Sequence, residues 1–326
     1  MSSKVKMKDI AEKLNISIVS VSKALSGKDG VSDEMRDKIF EVAQSLGYDV
    51  DKVKKNKLSG NICVIVADRF MDDNAFYQKL YRQIVINCTE NGYSSVLEIV
   101  SLTDETNLKM PKAIDNNIDG IVFLGDISKK YIDKIRNYKI PFVLVDFHID
   151  DYETDCFISD NIYGAMKLTE LMIKKGRKKI AFVGDVLSTT SILDRYLGYV
   201  RVLLMNGIMP KEEYLIKDRN NDGEFIDIQL PKNMPDSFVC NCDEVAYNLI
   251  RKLQNEGYRI PEDISVSGYD DYLFSSLSSP QITTYRVNIE DMAKNSIKKL
   301  IERINGSTIA YSQNVVNGKI IEKESI

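Results

Sequence analysis

From residue 61 onward the sequence alternates short apolar runs with amphipathic segments. Runs such as NICVIVAD, DGIVFLG and KIAFVG are rich in Val and Ile, which is typical of parallel strands that helices cover on both faces. The segments between them, for example AFYQKLYRQIVINCTENG, have helical spacing. This alternation is interrupted near CFISDN and then resumes. The two blocks of alternating segments predict an α/β fold of two doubly wound subdomains, with a ligand cleft at the carboxyl ends of the strands.

The domain boundaries are predicted from the places where this alternation changes. We expect a three-helix helix-turn-helix head at 1–48, a linker at 49–60 and a core at 61–326. Within the core we expect an N-subdomain of about 61–159 plus about 287–310. The C-subdomain would then hold about 160–286 plus about 311–326. The late helix MAKNSIKKLIERING is expected to pack back on one block, so that the chain crosses between them more than once.

The head has the sequence signals of three short helices. The first runs from Lys8 to Leu14, Ser17 caps a second that ends near Leu25, and Ser32 caps a third. Three helices of this length bury little surface. The head is therefore expected to be either an appendage of the larger domain or a binding module.

Composition excludes several classes of site. The single histidine, His148, argues against a multi-histidine metal centre or a Ser-His-Asp enzyme. The five cysteines form no zinc-type pairs, and no glycine-rich nucleotide motif opens a helix after a strand. We expect no catalytic activity, no metal and no cofactor.

Charge and hydropathy bear on partners and location. Residues 1–60 hold 12 Lys and Arg against 9 Asp and Glu, whereas the rest holds 32 against 39, so the head is the part suited to a polyanion. No apolar run follows Met1, and none approaches the ~20 residues needed to cross a bilayer. We expect a cytoplasmic protein without membrane contact.

The head resembles the DNA-binding domain of the lactose-repressor family of bacterial transcription regulators. The residues that carry this resemblance are MKDIAEKLNISIVSVSKALSG and VSDEMRDKIFEVAQSLGY. The core is similar to that family's periplasmic-binding-protein-like domain through DGIVFLG, IPFVLVD, SDN, GRKKIAFVG, DRYLGY and IPEDISVSGYDD. The resemblance covers nearly the whole chain.

This resemblance implies that the second helix enters the DNA major groove. Ile18 and Val19 can contact thymine methyl groups, and Lys23 can reach guanine or a phosphate. Ser32 is equally well explained as an ordinary helix cap. The residues expected to contact DNA in the head are Ser17, Ile18, Val19, Ser20, Ser22, Lys23, Ser32 and Arg36.

The linker departs from the family pattern of a Pro followed by an Ala-rich hinge helix with a Leu wedge. Val50 stands where Pro is usual, Lys54 where Ala is usual, and Lys57 where the Leu should lie. Either Leu58 wedges into the minor groove through a register shift, or Lys54 and Lys57 bind phosphates without wedging. The sequence slightly favours the second interpretation.

The resemblance also implies an effector cleft. Asp146 and Asp270 would accept hydroxyls and Arg195 would donate, which suits a sugar ring. At Cys242 sugar-binding relatives often have Asn, whereas Cys is a poor hydrogen-bond partner. Either the ligand lacks a hydroxyl at this place, or the neighbouring Asp243 compensates. The residues expected to contact the effector are Phe76, Tyr77, Asp146, Ser191, Arg195, Asp243 and Asp270.

The leading hypothesis is therefore a homodimeric repressor that binds a pseudo-palindromic double-stranded operator and is released by a small-molecule effector, a sugar. One alternative is a global regulator controlled by a phosphoprotein corepressor. A second is a sugar-binding protein without regulatory DNA binding.

Overall fold

A computed structural model of the chain describes residues 5–25, 30–48, 60–71, 75–149, 153–220 and 223–326. The linker residues Lys54, Lys57 and Leu58, for which two interpretations were open, lie outside these ranges. The described residues fall into two compact units, one within 1–62 and 85–95 and the other within 63–84 and 96–326.

Helices and strands alternate along most of the chain, as the sequence pattern predicts. The helices are α1 (Met7–Leu14), α2 (Ile18–Leu25), α3 (Asp33–Ser45), α4 (Ala75–Glu90), α5 (Leu102–Thr106), α6 (Lys129–Arg136), α7 (Asn161–Lys174), α8 (Thr190–Met205), α9 (Asp243–Asn255), α10 (Leu273–Leu277) and α11 (Ile289–Ile304). The strands are β1 (Gly60–Ala67), β2 (Tyr93–Val100), β3 (Gly120–Leu124), β4 (Phe142–Val145), β5 (Asp155–Ser159), β6 (Ile180–Val183), β7 (Leu215–Ile216), β8 (Ser237–Cys240), β9 (Ser265–Ser267), β10 (Thr284–Arg286), β11 (Gln313–Val316) and β12 (Lys319–Ile321).

The head forms its own small core, and the predicted caps are present. Ser17 Oγ accepts a hydrogen bond from the Ser20 amide at 3.0 Å, and Ser32 Oγ accepts one from the Met35 amide at 3.4 Å. Each bond satisfies an amide that the first turn of a helix leaves without a partner. The fully buried side chains come from all three helices: Ile10, Ala11, Val21, Ala24, Leu25, Ile39 and Ala43.

Two sheets organise the core. The first contains six described strands in the order β11-β5-β4-β3-β1-β2, with β3, β4, β5 and β11 in parallel register. The second contains four described strands in the order β7-β6-β8-β9, all parallel. Strands β3, β4, β6 and β8 are wholly or almost wholly buried, because helices cover both faces of each sheet.

The last crossing between the sheets lies later than the sequence predicted. Residues 311–316 were assigned to the C-subdomain, but β11 pairs in parallel with β5 in the first sheet, with Gln313 opposite Cys156. Only then does the chain return, and β12 pairs antiparallel with β10. The run QNVV is short and half exposed, so its own pattern could not show which sheet it joins.

Within the described residues, no helix combines the length and the apolar character needed to cross a membrane.

Candidate DNA-binding surface and effector site

The second helix of the head divides its side chains between its core and its surface. Val21, Ala24 and Leu25 are buried, whereas Ile18 is 49% exposed and Val19 is 63% exposed. These two neighbouring apolar side chains are exposed to solvent and do not contribute to the core of the head. Contact with base edges in the DNA major groove would explain their exposure.

Several polar candidates in the head also make internal hydrogen bonds. The hydroxyls of Ser17 and Ser20 lie 2.9 Å apart. Arg36 Nη1 lies 3.4 Å from the Ala24 carbonyl, at the end of α2, which makes Arg36 a support for that helix as well as a candidate phosphate contact. Lys23 is exposed on the same helix.

The core contains a cavity of about 370 Å³ at the carboxyl ends of strands from both sheets. Asp146 follows β4 directly, and Asp270 lies three residues after β9, so the two sheets bring these carboxylates to one place. This is the predicted position for a ligand in doubly wound α/β folds. All seven predicted effector residues line the cavity: Phe76, Tyr77, Asp146, Ser191, Arg195, Asp243 and Asp270.

The first-sheet side of the cavity is built around Asp146. The Tyr77 hydroxyl donates to Asp146 Oδ2 at 2.7 Å, and the Tyr77 ring packs against Phe70 and Phe76 with centroids 4.7 and 5.2 Å away. Gly125 permits this packing, since a Cβ there would lie 2.8 Å from the Phe70 ring. The other carboxylate oxygen, Asp146 Oδ1, is buried and has no hydrogen-bond partner among the described residues.

The second-sheet side is built around Arg195 on α8. Its guanidinium donates to Asn161 Oδ1 at 2.9 Å and to the Asn241 carbonyl at 2.6 Å. It lies 3.6 Å from Asp270 Oδ1 and stacks on the Tyr269 ring at 3.8 Å. These contacts fix a planar donor in the wall of the cavity.

Asp146 and Asp270 have a backbone conformation that residues other than glycine rarely adopt. Asp146 has φ of 70° and Asp270 has φ of 105°. The Asp270 amide donates to the Tyr285 carbonyl at 2.8 Å, and the Val287 amide donates back to the Asp270 carbonyl at 3.4 Å. Strain of this kind persists where surrounding bonds hold it, and it is concentrated at binding sites.

Burial also changes the acidity of these groups. Burial raises the pKa of Asp146 to about 6, although Arg195 and the Tyr77 hydroxyl oppose the shift. Burial likewise raises the pKa of Asp270 to about 7 against the opposing charge of Arg195, with the Asp146 charge adding to the rise. Two raised carboxyl pKa values in one cavity are typical of a functional site.

Ser191 and Asp243 have more limited roles in the wall. Ser191 lies on the same face of α8 as Arg195, four residues away, and its hydroxyl is 3.1 Å from that of Thr189. Asp243 Oδ2 accepts the Tyr272 amide at 2.8 Å, so it holds the turn that contains Asp270.

One hydrogen bond joins the two sides directly. The Thr190 amide, at the start of α8, donates to Asp126 Oδ2 at 3.0 Å, and Asp126 follows β3 of the first sheet. This hydrogen bond therefore brings the two halves of the cavity into contact.

Several polar residues of the cavity wall were not predicted from the sequence. Asp185 comes directly after the run KIAFVG, and Asn241 comes directly after β8, so their position at a strand end could have identified them. Arg219 follows β7, which has only two residues and gives no sequence signal. The missed residues are Arg69, Asp185, Arg219 and Asn241.

Comparison with known proteins assigns the head to a family. Residues 6–51 match the bacterial regulatory proteins of the lacI family, and residues 169–326 match the periplasmic binding protein-like domain. The chain is 27% identical over 329 residues to the HTH-type transcriptional regulator RegA of Clostridium saccharobutylicum, covering 98% of each chain. This chain carries a lacI-family DNA-binding domain.

Two solved structures share the fold of this chain over nearly its whole length. The transcriptional regulator CelR in complex with cellobiose superimposes with a TM-score of 0.73 at 20% identity, covering 99% of this chain and 100% of that one. The Lac repressor dimer bound to operator and the anti-inducer ONPF superimposes with a TM-score of 0.70 at 19% identity, covering 99% of each. The predicted fold is thereby confirmed.

Proposed function

We propose that this regulator is a repressor that binds a pseudo-palindromic operator as a homodimer and releases it when a sugar occupies the core cavity. The observation that carries the proposal is the cavity itself. It combines buried carboxylates, a fixed guanidinium and aromatic walls, and its two sides come from different sheets.

The chemistry of the cavity fits a polyhydroxylated ligand. Asp146 and Asp270 can each accept hydroxyls, and Arg195 can donate from a fixed plane. Phe70, Phe76 and Tyr77 supply an apolar wall against which a sugar ring can pack. CelR, whose structure holds cellobiose, shares this fold, which supports a sugar over other effectors.

The geometry also provides a means of control. Asp146 belongs to the first sheet, whereas Arg195 and Asp270 belong to the C-subdomain, so a bound ligand would contact both halves. A ligand shifts an equilibrium only by its different affinity for the two arrangements. Coupling of this kind is usually about 1–3 kcal/mol, or about 5- to 150-fold in operator affinity.

The DNA-binding surface would use the second helix of the head, with Ile18 and Val19 at base edges and Lys23 at a guanine or phosphate. A single head of this size reads half a site, so useful affinity requires two. The structure of the Lac repressor dimer on its operator supports a homodimer, which would act in the cytoplasm where operator DNA lies.

The experiment that tests this proposal is a thermal-shift screen of the full chain against mono- and disaccharides, followed by operator titration with the best hit. We expect one or a few sugars to raise Tm and to weaken operator binding. Operator binding that responds only when a phosphoprotein is added would favour the corepressor alternative.

A further inference from the structure

The guanidiniums of the cavity wall are already bound to acceptors of the protein. Arg69 Nη1 lies 2.8 Å from Glu105 Oε2, and Arg69 Nη2 donates to the Asp126 carbonyl at 2.6 Å. Glu105 is only 5% exposed, so its carboxylate depends on Arg69 as a partner. The arginines among the described lining residues are Arg69, Arg195 and Arg219.

Arg219 and Arg195 are paired in the same way. Arg219 Nε and Nη2 donate to Asp218 Oδ2 at 3.0 and 2.8 Å, and Asp218 is 1% exposed. Arg195 Nη2 lies 3.6 Å from Asp270 Oδ1. Each positive charge of the wall therefore has a buried carboxylate beside it.

The wall contains more carboxyl groups than guanidinium groups. The described lining residues include no Lys and no His, and five of them carry a carboxyl group: Asp146, Asp185, Asp243, Glu244 and Asp270. Of these, Asp185 Oδ2 lies 3.5 Å from Lys217 Nζ. Asp146 Oδ1 still lacks a hydrogen-bond donor among the described residues. The cavity therefore needs donors from its ligand, and its cations are neutralised before any ligand arrives.

We propose that the effector carries no anionic group, so that sugar phosphates and uronic acids are excluded while uncharged or amino sugars are accepted. The inference rests on the proposed function, since it assumes that a sugar occupies this cavity. It goes beyond that function because it assigns the charge of the effector from the pairing of Arg69, Arg195 and Arg219.

The physical reason is that an anion would gain no unpaired cation and would lie beside the carboxyl groups of Asp146 and Asp270, which become negative as pH rises through their pKa values of about 6 and about 7. To bind Arg69 or Arg219 it would displace Glu105 or Asp218 and leave that buried carboxylate without its partner, which is costly. Unfavourable juxtaposition of like charges is an effective way to reject a ligand of the wrong charge.

The test compares each uncharged sugar with an anionic derivative of it, by thermal shift and calorimetry on the full chain. The uronates are close in size to their parents, whereas the phosphates are larger. The pairs are glucose with glucose 6-phosphate and glucuronate, galactose with galacturonate, and ribose with ribose 5-phosphate, together with cellobiose and glucosamine as further uncharged and cationic members. We expect every ligand that raises Tm to be uncharged or cationic, and its anionic partner to bind at least about tenfold more weakly.

Two results would overturn the inference, and they differ from each other. If an anionic sugar binds more tightly than its uncharged parent, the charge assignment is wrong but the sugar site stands. If no sugar of any charge binds, the proposed sugar effector fails, and the charge assignment fails with it.

A variant that releases one guanidinium tests the cause of the selectivity. Glu105→Gln removes the charge beside Arg69 but retains an oxygen for the Ser128 amide, which Glu105 Oε1 accepts at 2.7 Å. We expect this variant to bring the affinities for the anionic sugar and its parent closer, by about threefold or more. Asp104→Asn is the matched control, because Asp104 pairs with the exposed Lys109 at 3.0 Å and does not line the cavity. An unchanged affinity ratio in Glu105→Gln would contradict the inference.

Discussion

The head and the core cavity present their functional side chains in opposite ways. In the head, candidate DNA contacts such as Val19 are exposed, and they pack over a small apolar core that contains Leu25. In the core, the candidate contacts are themselves buried, and Asp146 and Arg195 are 3% and 6% exposed. An exposed candidate contact in the head can therefore be replaced without unfolding the head. Replacing a buried residue of the cavity, in contrast, leaves its hydrogen-bond partner buried and unpaired.

The largest expected effect comes from unfolding the head while the core domain at 61–326 stays folded. Leu25→Ala removes a side chain that is 1% exposed in the head, and such substitutions cost about 2–5 kcal/mol. A domain of this size has little stability in reserve, so operator binding should be lost. Electrophoretic mobility shift with the operator measures this loss.

The matched variant in the same helix is Val19→Ala, at a position that is 63% exposed. It should leave the head folded by circular dichroism and weaken operator binding without abolishing it. If Leu25→Ala and Val19→Ala impair DNA binding equally, the division of α2 into a core face and a reading face is wrong.

The next effect isolates the cavity. Asp270→Asn preserves shape but replaces the charge beside Arg195, and hydrogen bonds to charged groups are worth about 1.5–3 kcal/mol. We expect sugar affinity to fall by about 10- to 150-fold by calorimetry, while operator binding without sugar stays near wild type. Asp227→Asn is the control, since Asp227 is exposed and pairs with Lys252 at 2.8 Å; normal sugar binding by Asp270→Asn would exclude Asp270 from the effector site.

A third effect tests whether Lys23 on the exposed surface of the head recognises the base sequence of the operator. Lys23→Ala should weaken operator binding by about 1–3 kcal/mol and leave random DNA less affected, if Lys23 contacts a guanine. Lys38→Ala, in the exposed Lys38–Glu34 pair of α3, serves as a comparison. Equal losses on operator and random DNA for Lys23→Ala would make Lys23 a phosphate contact.

The smallest effect concerns pH and belongs to the cavity alone. The raised pKa values of Asp146, about 6, and Asp270, about 7, mean that the folded protein holds protons that an unfolded carboxyl, with a pKa near 3.9, has lost. These two groups should therefore lower the free energy of unfolding as pH rises from about 4 to about 7. In Tm measurements without ligand, Asp270→Asn should show a weaker decline than the wild type, and sugar affinity should increase over the same range as the carboxylates ionise.

Much of the fold followed from sequence because local patterns determine it. The alternation of apolar runs with amphipathic segments predicted the strands and helices of the core, and Ser17 and Ser32 predicted where two helices of the head begin. The assignment of 311–316 failed because β11 is defined by its partner β5, about 155 residues earlier in the chain, and no local pattern encodes that pairing.

The effector residues were predicted through the family resemblance, whereas their partners were not. Nothing near Arg69 in the sequence indicates Glu105, and nothing near Arg195 indicates Asn161 or Asn241. Such pairs form only when strands and helices distant in sequence meet at one edge of the sheets. Charge selectivity is therefore a property of the folded cavity that its separate motifs do not show.

The most direct test of the account is operator affinity with and without a saturating sugar, measured by fluorescence anisotropy on the full chain. The account predicts that the sugar with the largest thermal shift weakens operator binding by about 5- to 150-fold and leaves binding to random DNA nearly unchanged. A sugar that binds the cavity but leaves operator affinity unchanged would contradict the central claim, because occupancy of the core would then not control the head.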